Sequence, residues 1–131
     1  MSTRLFAGAA ALALALDAGA VFAAAKDYRF EVSGTPQKAT NGKSVVLVRL
    51  ILIADGKPVP GALIVQTRAD MEPAGMGEMT APAKALGEAE PGIYRFEVQP
   101  GMAGDWALTL TARVQGEPEP VRGSVVVELR H

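Results

Sequence analysis

The chain has 131 residues, with 13 basic and 14 acidic side chains, one histidine and no cysteine, which sets the expectation of one domain of near-balanced charge. Its charges are interspersed with no basic stripe, so nucleic acid is not an expected partner. The lack of cysteine excludes thiolate nucleophiles, thiolate metal ligands and disulfide staples, and leaves packing to hold the fold.

The N-terminus reads as an export signal. Met1 to Arg4 carries one positive charge, Leu5 to Leu16 is an unbroken apolar run, and Ala23-Ala24-Ala25 offers the small residues a signal peptidase recognises. Cleavage after Ala25 leaves a mature domain, residues 26–131, in the periplasm or an equivalent extracytoplasmic space. The alternative is an uncleaved membrane anchor over residues 5–25. That segment is just long enough to span, but Asp17 lies inside it, and an acid near a helix centre costs roughly 2.5–3.5 kcal/mol.

Tyr28-Arg29-Phe30-Glu31-Val32 alternates apolar and charged residues, the mark of a strand with one buried face. Gly34-Thr35-Pro36 ends it. Ser44 to Ile53 is a near-continuous apolar run rich in β-branched residues, with Arg49 its only charge, which fits a central strand. Asp55-Gly56 is a turn dipeptide, followed by a connection with two prolines and a strand over Ala62–Gln66. The passage Asp-Gly-Lys-Pro-Val-Pro-Gly-Ala resembles the strand-to-strand corner of immunoglobulin-like and transthyretin-like sandwiches.

Next comes a Gly/Pro-broken segment holding Met71, Met76 and Met79, expected to be a loop. Ala81 to Glu90 is expected to make a turn of helix around Lys84-Ala85-Leu86, stopped by Pro91-Gly92. Ile93–Val98 places Tyr94, Phe96 and Val98 on one face. Trp106–Val114 does the same with Trp106, Leu108, Leu110, Ala112 and Val114, and Val121–Leu129 with Val125, Val127 and Leu129. The sum is an all-β, immunoglobulin-like β-sandwich of about seven strands, with Trp106 as the large central anchor in place of a disulfide.

Catalysis finds little support. The one histidine, His131, is the last residue, where chains fray. There is no Gly-x-Ser-x-Gly elbow or phosphate loop. Asp70, Glu72, Glu78 and Asp105 are better explained as solvated carboxylates than as general bases. The chain is therefore expected not to be an enzyme.

The methionines are the stronger candidates. Four of the five lie between Met71 and Met102, and a thioether is a soft, neutral ligand that suits Cu(I) without deprotonation. Met71, Met76 and Met79 on one loop and Met102 on a neighbouring corner are the candidate metal ligands. Two other uses of the same residues stand beside this one. Methionine is a flexible filler that can close the end of a core, and it makes an adaptable apolar contact surface for a protein partner.

Asp70-Met71-Glu72-Pro73, Gly75-Met76-Gly77-Glu78-Met79, Pro91-Gly92-Ile93-Tyr94 and Met102-Ala103-Gly104-Asp105-Trp106, in that order, resemble the YtkA-like/FixH-like family. Its pattern is a methionine-rich Met-Pro-x-Met loop, then Pro-Gly-x-Tyr, then Met-x-Gly-x-Trp. Here Glu72 separates Met71 from Pro73, and no histidine accompanies the loop. The resemblance implies an exported immunoglobulin-like domain that handles copper through Met71, Met76, Met79 and Met102. It also implies a membrane partner in respiratory oxidase assembly or metal efflux.

Overall fold

The computed structural model describes residues 27–38 and 40–130. The expected signal segment, residues 1–25, and His131 lie outside the described residues. The described chain is an all-β sandwich of two antiparallel sheets. One sheet runs in the order β1 (Tyr28–Val32), β3 (Ser44–Leu52), β8 (Ile93–Val98) and β7 (Ala83–Glu90). Two-residue strands, β2 (Gln37–Lys38) and β4 (Lys57–Pro58), add to β3. The second sheet runs β10 (Val121–Leu129), β9 (Gly104–Arg113), β5 (Leu63–Met71) and β6 (Met76–Ala81). Without the two-residue strands and β6, seven strands remain. Their order is first-second-fifth-fourth in one sheet and third-sixth-seventh in the other, the immunoglobulin arrangement.

Alternation in the sequence becomes the core directly. Val46, Val48 and Leu50 of β3, Tyr94, Phe96 and Val98 of β8, and Trp106, Leu108, Leu110 and Ala112 of β9 are buried between the sheets. Val125, Val127 and Leu129 of β10 join them. Each fully buried large apolar side chain contributes roughly 1.5–3 kcal/mol relative to exposure. Trp106, at 1% exposure, is the largest of them.

Two expectations are corrected. The turn of helix around Lys84–Leu86 is instead part of β7, paired along β8 with register shifts at Ala85/Gly87 and Glu88/Glu90. Alanine, lysine and glutamate favour a helix locally, but the open edge of β8 offers their backbone a ladder, and Ala83 and Ala85 pack against the core. The third long strand does not stop at Gln66. β5 runs on to Met71 and β6 takes up the chain again at Met76, so the segment expected to be a loop is mostly sheet, with only the turn at Glu72–Ala74 and Gly75 between the strands.

Candidate functional site

The four methionines lie at one pole of the sandwich. Met71 ends β5 and stands opposite Met76, which begins β6, while Met102 lies just before Gly104, where β9 begins. A single 3-10 turn, Glu72–Ala74, joins β5 to β6, closed by Gly75 in the left-handed conformation (φ 81°), whose N–H donates to the Glu72 carbonyl at 2.8 Å. This turn packs against the start of β9, which brings the Met102 corner beside it.

β6 does not pair evenly with β5. Asp70 is opposite Thr80, yet Met71 is opposite Met76. One step along β5 therefore corresponds to four along β6, and Gly77, Glu78 and Met79 form a bulge that turns side chains off the regular pleat. Arg68 and Asp70 brace this bulge. Arg68 Nε donates to Asp70 Oδ2 at 3.0 Å, Arg68 Nη2 donates to the Gly77 carbonyl at 3.3 Å, and the Glu72 N–H donates to Asp70 Oδ1 at 3.0 Å. Asp70, expected above to be a solvated carboxylate, is instead buried at 8% exposure and spends both oxygens on this brace.

The methionines divide into two kinds. Met71 is 1% exposed and belongs to the core with Trp106, whereas Met76, Met79 and Met102 are 37%, 39% and 40% exposed. The Met71 methyl lies over Gly104. Trp106 in turn donates its indole Nε1–H to the Met102 carbonyl at 3.1 Å, which fixes the corner that carries Met102. So Met71 belongs to the core, and the other three methionines of this pole are each more than a third exposed. Exposed carboxylates ring the same pole: Glu72 in the turn, Glu78 in the bulge, and Asp105 directly across from Glu128 on β9 and β10. Among the described residues no three of His, Cys, Asp and Glu come together in a metal-binding cluster, so the soft donors here are thioethers.

The Pro-Gly-x-Tyr segment plays a structural part that the residue pattern alone did not assign. The Tyr94 hydroxyl donates to the Val59 carbonyl at 2.7 Å and accepts from the Ala62 N–H at 2.9 Å, stapling the connection into β5. Gly92, at φ 84°, lies so close to Pro58 that a Cβ there would stand 2.3 Å from the proline Cβ. Glu88 accepts from the N–H groups of Gly92 and Gly61, tying the same two segments together. The signal for Tyr94 was its inward parity on β8 together with a hydroxyl, because a buried phenol needs a partner.

At the opposite pole, the Tyr28 hydroxyl donates to Glu117 Oε2 at 2.6 Å, joining the start of β1 to the turn between β9 and β10. Partial burial, the hydrogen bond and the nearby carboxylate together push this phenol up to about 12.

A family model described as YtkA-like matches residues 22–111. No curated protein matches the chain.

Proposed function

This chain belongs to the YtkA-like family, and from that premise we propose that it is an extracytoplasmic, non-enzymatic domain that takes up Cu(I) on thioethers and passes it on. Met76, Met79 and Met102 would hold the ion, with Met71 left in the core. The observation that carries this reading is the split in exposure: three methionines at one pole are 37–40% exposed, and the fourth is buried in the core. Side chains this exposed would let a soft cation reach thioether sulfurs without unfolding the corner. The surrounding Glu72, Glu78, Asp105 and Glu128 would raise the local concentration of a cation and leave the sulfurs to select it.

Thioethers need no deprotonation, so such a site would keep its affinity across the neutral and mildly acidic range. The bulge on β6, held by Arg68 and Asp70, would supply the geometry in which Met76 and Met79 face one ion. Transfer to a membrane oxidase-assembly or metal-efflux protein would follow from an open, few-ligand site that a competing ligand set can strip.

The second reading takes the same exposure differently. Met76, Met79 and Met102 would then form an adaptable apolar contact for such a protein, with no metal. Anaerobic Cu(I) titration against a competing chelator separates the two. The copper reading expects one-to-one uptake that is lost in a folded Met76/Met79/Met102→Leu variant. Equal, negligible uptake by both proteins would sink it and favour the contact surface.

A further inference from the structure

The four lateral edges of the two sheets are not alike. An exposed strand edge invites pairing with another chain, and natural sheets blunt it with short strands, bulges, prolines or charges turned inward. β1 has five residues and gives way to Gly34-Thr35-Pro36. β7 carries two register shifts. β6 has its three-residue bulge and lies between Pro73 and Pro82. β10 has none of these features; β1 of the facing sheet packs beside it, with Phe30 against Gly123, but does not pair with it. β10 is nine residues long, pairs with β9 from Val121 to Leu129 without a shift, and contains no proline and no inward charge.

We propose that β10 is a self-association edge, where a second copy of this chain adds its own β10 antiparallel and joins the two β10–β9–β5–β6 sheets into one. A two-fold axis perpendicular to the sheet keeps core faces with core faces, so paired residue numbers must sum to an even number. Centring the axis on Val125 sets Arg122 opposite Glu128 of the second copy and Glu128 opposite its Arg122, with Ser124 facing Val126 on the same outer surface. Shifting the centre to Val126 would instead oppose Arg122 with Arg130, and shifting it to Ser124 would leave Glu128 without a counter-charge.

The single chain leaves these groups wanting what the pairing supplies. Val126 is 58% exposed on the outer face. Glu128 is directly across from Asp105, a like-charge placement that costs stability in a sheet. Among the described residues neither Arg122 nor Glu128 forms an ion pair. In the joined sheet, Leu129 of one copy lies across from Val121 of the other, so the two methionine poles stand at opposite ends and each acts alone. The inference is independent of the copper reading.

The test is a sedimentation-equilibrium concentration series on the purified protein in its natural processed form. The wild type should associate to twice its monomer mass. Arg122→Glu and Glu128→Arg should each weaken association by about ten-fold or more, and the double exchange should restore it, because the charges then match again with their order reversed. Glu128→Arg also faces Asp105 favourably within the chain, so its thermal midpoint should hold or rise while its association falls. Hydrogen exchange across the series should show β10 amides slowing with concentration. A monomer up to the millimolar range would overturn the proposal. So would a dimer indifferent to all three variants, or an edge that takes up only an unrelated strand.

Discussion

Met71 and Gly104 occupy each other's space: an ideal Cβ built on Gly104 would stand 2.7 Å from the Met71 Cε. Gly104 also sits at φ +146°, a backbone state that L side chains rarely adopt. The glycine of the Met-x-Gly-x-Trp segment therefore lets one methionine turn inward, while Met102, two residues earlier, stays outside. That pairing keeps Met71 in the core while the other three methionines of the pole stay exposed.

Gly104→Ala should accordingly lower stability by about 1–3 kcal/mol, mostly from the backbone. Met71 ends in a flexible methyl that can swing aside, so the contact adds less. The double variant Met71→Ala/Gly104→Ala should lose less than the sum of the single losses, since the crowding is gone once Met71 is shortened. Urea unfolding of the four proteins measures this, and strict additivity would show that the contact carries no energy.

Tyr94→Phe removes one hydroxyl that serves both the Val59 carbonyl and the Ala62 N–H. The expected loss is about 1–2 kcal/mol, with both groups left to find water. Hydrogen exchange should show the Ala62 amide opening faster, while the methionine pole is unchanged.

Much of the fold is legible in the residues because alternation and burial are the same fact in a sandwich. β1, β8 and β10 have the bounds that their alternation sets, and Trp106 is the buried anchor its size demands. β7 was hidden by its composition: alanine, lysine and glutamate say helix, and only the vacant edge of β8 makes them strand. The methionine segment was hidden for another reason. Its glycines and prolines mark a break, but the bulge that places Met79 depends on pairing with β5. Which methionine turns inward depends on Gly104, far along the chain. Spacing singled out the methionines, and long-range contacts set which of them is buried.

At high pH the link between Tyr28 and Glu117 should fail. Tyr28 is pushed up to about 12 from an ordinary 10.0 by partial burial, by the hydrogen bond to Glu117 and by that carboxylate's charge. A folded value above the unfolded one means the contribution is complete below pH 10 and is lost as pH rises through about 12. Tyr94, the other tyrosine, is raised by burial as well and adds in the same direction. Tyrosinate absorbance of the folded protein should thus lag that of the unfolded protein. Glu117→Gln should bring the Tyr28 transition down, and an unchanged midpoint would remove Glu117 as a cause.

The most direct test of the division between Met71 and the three exposed methionines is X-ray absorption at the copper edge of the Cu(I)-loaded protein. The account predicts a shell of three sulfur scatterers, unchanged in Met71→Leu and reduced by one in each of Met76→Leu, Met79→Leu and Met102→Leu. A shell dominated by nitrogen or oxygen, or one that loses a sulfur when Met71 is replaced, would contradict it.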